Sequence, residues 1–204
     1  MKSQGVLLGL SGVLFGVLLG WILGSQQAAG PGAPAAGAST ATAPQAQATP
    51  PIDLQRAADL ERQANARKDD AKVRADLGDL YFEAQRHDLA IPWYEAALKV
   101  NGKNPQVHTD LALSLFYTNE IDRALKQIDA ALVVDPRHLK ALLSQGFIRA
   151  FGKQDLAGAV KSWEQVIAVD ASSIEAAEAR RQIDGLKNAH PNATGTGRAG
   201  GKTP

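Results

Sequence analysis

A period of 34 residues constrains this chain more than any other feature. The clearest unit runs from Pro105 to Pro136, PQVHTDLALSLFYTNEIDRALKQIDAALVVDP. Val107, Leu111, Ala112 and Leu115 share one face of a first helix. Ala124, Leu125, Ile128, Ala131 and Leu132 share one face of a second. Thr118, Asn119 and Glu120 form the turn between them. Such a hairpin cannot bury both apolar faces alone, so it demands neighbours of its own kind.

The neighbours are present. Moving back 34 residues puts Leu111-Ala112 on Leu77-Gly78, Leu115 on Tyr81, Ala124 on Ala90, Ile128 on Tyr94 and Ala131 on Ala97. Moving forward puts Ala112 on Gly146. After one extra residue, expected in the Phe151–Leu156 turn, Ala124 meets Ala159, Ile128 meets Trp163 and Ala131 meets Val166. Small residues at 78, 112 and 146 let two helix backbones approach, and the large partners at 94, 128 and 163 fill the space beside them. Leu54, Ala57, Leu60 and Ala64 share a face over 53–67, which falls on the grid as the second half of a preceding repeat. Ser172-Ser173-Ile174-Glu175 reads as a capping box opening a last helix.

The Leu-Gly-x-x-Tyr first helix, the Ala-x-x-x-Tyr-x-x-Ala second helix and the Asp-Pro that follows resemble the tetratricopeptide repeat (TPR). The third hairpin departs from that pattern at Gln145, Arg149 and Ala171. The resemblance implies an all-α, right-handed superhelix over 53–188. It consists of hairpins at 71–104, 105–138 and 139–172, an N-terminal half-repeat helix and a capping helix over 173–188. First helices line the concave face of such a stack. The resemblance therefore implies a peptide groove of Lys72, Asp79, Glu83, Thr109, Leu113, Phe116, Tyr117, Lys140, Leu143, Phe147 and Phe151. It is acidic at Asp79 and Glu83 and apolar in the second and third repeats. Aromatic and aliphatic anchors of that kind suit an amphipathic helix or an extended apolar peptide. Some family members clamp a C-terminal carboxylate with Lys, Asn and Arg. The matching places here are Ala75, Asp79, Leu113, Lys140 and Ser144, and only Lys140 fits.

Outside the repeats, residues 5–24 carry no charge, and 20 helical residues rise about 30 Å, the thickness of a hydrocarbon core. This predicts an uncleaved transmembrane helix over 1–24. Lys2 keeps the N-terminus in the cytoplasm and places the repeats in the periplasm of a bacterial inner membrane, as a single-pass protein. Gly5, Gly9, Gly12, Gly16, Gly20 and Gly24 form a strip suited to close helix pairing, which would make a homo-oligomer. Residues 25–52 are an Ala/Pro/Gly linker and 189–204 a polar tail, both expected to be disordered.

Composition narrows the function. Residues 53–188 hold 19 basic and 21 acidic side chains, too little positive surplus for nucleic acid. There is no cysteine, hence no disulfide and no thiolate nucleophile. His87, His108, His138 and His190 lack metal-ligand spacing, and no catalytic set is suggested, so neither an enzyme nor a cofactor is expected. Gly195–Gly200 spells a dinucleotide-binding pattern, but with the sequence ending at Pro204 there is no room for the helix that pattern requires. The expected function is a membrane-tethered protein-interaction scaffold or assembly factor of the cell envelope. The alternatives are an apocytochrome-binding component of cytochrome c maturation and a self-oligomerising structural membrane protein.

Overall fold

The structure is a computed structural model that describes residues 50–189. Eight α-helices follow one another: α1 (Leu54–Ala66), α2 (Ala71–Glu83), α3 (His87–Val100), α4 (Pro105–Tyr117), α5 (Ile121–Val134), α6 (Leu139–Phe147), α7 (Leu156–Val169) and α8 (Ile174–Ala189). A π-helical turn, Ile148–Lys153, extends α6. The expected anchor, its glycine strip, the linker up to residue 49 and the tail from residue 190 lie outside the described residues. Among the described residues, no helix is long and apolar enough to cross a membrane.

Local chemistry sets the helix starts at the repeat period. Before α2, Asp70 accepts the backbone N–H of Val73 at 3.2 Å. Before α4, Asn104 accepts those of Gln106 and Val107 at 3.1 and 3.2 Å, with Pro105 at the first helical position. Before α6, His138 Nδ1 accepts that of Ala141 at 3.2 Å. Asp53 caps α1 through Arg56 N–H at 2.9 Å. For α8 the cap is Ser173, whose Oγ accepts Ala176 N–H at 3.0 Å. The cap expected at Ser172 is therefore displaced by one residue, because the Ser172 hydroxyl bonds Asp170 instead, and with Ala176 three residues after Ser173 no capping box forms.

Each first helix stops at a left-handed residue: Gln85, Asn119 and Gln154, with φ of 57°, 65° and 57°. Arg86 N–H then reaches the carbonyl of Tyr81, and Glu120 N–H that of Leu115, both at 2.8 Å, which closes the helix end. In the third hairpin, Asp155 N–H bonds Arg149 at 2.9 Å, spanning one residue more. The extra residue expected in the turn is thus absorbed as the π turn at the end of α6.

The pairs α2–α3, α4–α5 and α6–α7 form antiparallel hairpins that stack in order, with α1 on α2 and α8 on α7. A Cβ on Gly78 would fall 2.6 Å from the Tyr94 ring. One on Gly146 would fall 2.5 Å from Cδ1 and Cε2 of Trp163. The expected close approaches at Gly78 and Gly146 are present. Leu77, Tyr94, Leu111, Leu115, Ile128, Trp163 and Val166 are fully buried. Tyr81 packs on this core but stays half-buried, its hydroxyl 3.2 Å from Glu61 Oε1.

Candidate peptide groove

Asp76 and Asp79 sit on α2, Asp110 on α4 and Lys140 on α6. Between α2 and α4 lies a cleft of about 260 Å³, lined by Ala71, Lys72, Ala75, Asp76 and Asp79 on one side and Gln106, Val107 and Asp110 on the other. Ala97, Asn101 and Asn104 complete its lining. Its charges are organised. Lys72 Nζ donates to both oxygens of Asp76 at 2.7 and 2.6 Å. Lys140 Nζ donates to Asp110 Oδ1 at 2.6 Å, and Gln106 Nε2 donates to Asp110 Oδ2 at 2.9 Å. Asp79 accepts only the Tyr94 hydroxyl, at 2.7 Å. Burial pushes the Asp79 carboxyl up to about 6; the Tyr94 hydrogen bond opposes this, while Asp110 and Asp76 reinforce it.

Past the cleft, at the ends of the first helices, aromatic rings gather. His87 stacks on Tyr117 with centroids 4.4 Å apart, and Phe82 meets His87 edge-on at 4.9 Å. Phe116 lies 5.6 Å from Tyr117. His87 Nδ1 is buried without a hydrogen-bond partner, and desolvation pulls the imidazole down to about 4, so this ring is neutral near pH 7. In the third repeat Phe147 stacks on Phe151 at 5.9 Å and meets Trp163 edge-on at 5.6 Å.

A family profile for the tetratricopeptide repeat matches residues 53–106 and 109–173, more than half of the chain. The chain belongs to the tetratricopeptide repeat family. Repeats of this family form a non-catalytic scaffold for protein interaction. The chain is 31% identical over 113 residues to the cytochrome c-type biogenesis protein CycH of Pseudomonas aeruginosa, covering 54% of this chain and 28% of that protein. The first repeat domain of Spaghetti (RPAP3), solved with the HSP90 peptide SRMEEVD, superposes with a TM-score of 0.54 at 25% identity, covering 58% of this chain and 94% of that one. MamA superposes with a TM-score of 0.60 at 14% identity, covering 67% and 78%, a likeness of fold alone. The chain spans a third or less of the length of the curated relatives it matches.

Within the repeats, the residues expected to line a groove separate into three groups. Lys72, Glu83 and Phe151 are exposed. Asp79, Phe116, Tyr117 and Lys140 are half-buried: Asp79 lines the cleft, Lys140 is paired with Asp110 of its lining, and the other two lie at the aromatic end. Thr109, Leu113, Leu143 and Phe147 are buried. The apolar lining expected of repeats two and three is therefore largely closed: these side chains are buried where α4 lies against α6, with Phe147 packed on Phe151 and Trp163 of its own hairpin. The Thr109 hydroxyl donates to its own helix, at 2.7 Å from Pro105 O. Phe151 also shifts on the grid. A Cβ on Gly152 would fall 2.8 Å from Ile121 Cγ2, and Ile121 stands 34 residues after His87. Gly152 thus occupies the place of Tyr117, and Phe151 that of Phe116. Sequence reasoning missed Asp76, Gln106 and Asp110 as lining residues. The repetition of Asp76 at Asp110, one period on, was the available signal.

Proposed function

We propose that this tetratricopeptide chain is a membrane-tethered scaffold that holds an extended segment of a partner protein across the cleft between its first two repeats. Residues 5–24 supply the anchor in a bacterial inner membrane, 25–52 the tether, and the repeats stand on the periplasmic side. The observation that carries the binding role is the open cleft between α2 and α4, in a stack whose other first-helix contact is closed. A related repeat domain that holds a short peptide supports the same mode. The test is site-specific photocrosslinking in cells, with the probe at exposed Asn101 in the cleft and, as control, at exposed Lys126 on α5. Partner segments crosslinked at Asn101 and absent at Lys126 are the expected result. Equal labelling at both sites contradicts the groove. Protease protection of the repeats in inverted membrane vesicles tests the periplasmic placement.

A second reading places the scaffold in cytochrome c maturation, with apocytochrome as the partner. The 31% identity to CycH favours it. Apocytochrome C-terminal peptides would then bind the full chain more tightly than scrambled peptides of the same composition, and equal binding removes this reading.

A further inference from the structure

We infer that the cleft between the first two repeats selects its partner segment by a lysine or arginine side chain, seated with its cationic end among Asp76, Asp79 and Asp110. The inference rests on the groove reading above and names the chemistry of its ligand.

Three features converge. The first is the shape and composition of the cleft. Ala71, Ala75, Ala97 and Val107 give an apolar lining for an aliphatic stem, while the carboxylates stand on α2 and α4. A volume of about 260 Å³ is room enough for one extended side chain. Long cationic side chains bury their methylenes and keep the charged head in polar surroundings, which this arrangement matches.

The second is the charge left over. Three aspartates face two lysines. Lys72 is held by both oxygens of Asp76, and Lys140 by Asp110. Asp79 has the Tyr94 hydroxyl and no ion pair of its own, and Lys140, held by Asp110, acts on it only weakly. Burial works against its negative charge, so an incoming ammonium or guanidinium would compensate a poorly solvated carboxylate.

The third is what the cleft refuses. A C-terminal carboxylate needs cationic or amide donors, and the places where relatives supply them hold Ala75, Asp79, Leu113, Lys140 and Ser144 here; only Lys140 is such a donor, and Asp110 already holds it. An acidic peptide end of the SRMEEVD type, as held by the related repeat domain, would meet Asp79 and Asp110 at short range. Like charges in a half-buried site cost free energy that rim contacts do not return.

The experiment uses the full chain in detergent or nanodiscs, with a benzophenone side chain at Asn101. It is offered capped heptapeptide libraries randomised around a central lysine, around a central glutamate, or ending in a free acidic C-terminus. The lysine library is expected to crosslink at least about tenfold more than either other one. Asp79→Asn, which keeps an acceptor for the Tyr94 hydroxyl, should reduce that preference to below about threefold, and Asp76→Asn should lower it independently. Melting of both variants at or above that of the parent chain shows that the loss is local and not a loss of fold. Equal or better crosslinking by an acidic library overturns the inference and leaves the groove reading standing. So does a lysine preference that survives in both variants. No crosslinking by any library overturns the groove reading and this inference together.

Discussion

The same helix positions are polar at one end of the stack and apolar at the other. In the first repeat they hold Asp76 and Asp79, in the second Asp110 and Leu113, in the third Ser144 and Phe147. Between α2 and α4, carboxylates and alanines leave a cleft. Between α4 and α6, Leu113, Leu143 and Phe147 are buried and the contact is shut. Identical backbone architecture thus yields a binding surface in one place and a core in the next. What decides is whether the facing side chains gain more from each other than from a ligand.

The largest expected effect lies on the shut side. Phe147→Ala removes a buried ring from between Phe151 and Trp163, and should destabilise the domain by about 3–5 kcal/mol in chemical denaturation. A loss below about 1 kcal/mol would mean that this contact is not a core.

The paired glycines come next. Gly146→Ala drives a methyl into Trp163, whose indole N–H is fixed to Leu143 O at 3.1 Å. A net loss of about 2 kcal/mol is expected after the helix-propensity gain of alanine. Gly78→Ala should cost less, because its Cβ would stand 2.6 Å from the Tyr94 ring, farther off than the Gly146 Cβ stands from the Trp163 indole nitrogen. Equal losses at the two glycines would erase the contrast.

Asp79 gives a smaller effect with a pH signature. Its carboxyl titrates near 6 in the folded chain against an ordinary 3.8, so the native state holds the proton more readily than the unfolded one. Stability from this group is present below about pH 4 and is lost as pH rises through about 6. Asp79→Asn should therefore stabilise the domain at pH 8, on the order of 2 kcal/mol, with the gap vanishing near pH 4. Thermal melts of both proteins across that range check it. A gap independent of pH would show that Asp79 is well solvated.

The smallest effects are at the turns. Gln85→Gly and Gln154→Gly relieve side chains at positive φ and should each raise stability by about 0.5–1 kcal/mol. Asn119→Gly should gain less, since asparagine tolerates that region better. A larger gain at Gln154 than at Gln85 would show that the π turn adds strain to the third hairpin.

The repeat architecture was legible because it is written redundantly. Gly78 with Tyr94 and Gly146 with Trp163 state the same close approach twice, and Asp53 opens a half-repeat helix where the grid requires one. The groove was legible only in outline. A leucine at 113 or 143 looks the same in sequence whether it faces a peptide or the next helix, and the packing of α4 on α6 decides it. Asp76 and Asp110 carry no mark in the sequence beyond their spacing of one period, and only the folded stack brings both into one cleft. The capping residue of α8 was off by one, since Ser172 and Ser173 compete for the same role and Asp170 captures the first.

The wide turn at 148–153 has a consequence for how this molecule tolerates change. In a regular helix an added residue rotates everything behind it by about 100°. Here the surplus is swallowed before the hinge between α6 and α7, so the next helix resumes in phase and Trp163 still reaches Gly146. The insertion works like a leap day: one unit is added locally and the calendar stays aligned. Any position-by-position transfer from relatives must therefore skip a step between Arg149 and Gly152, or it will assign Phe151 a neighbour that belongs to the glycine beside it.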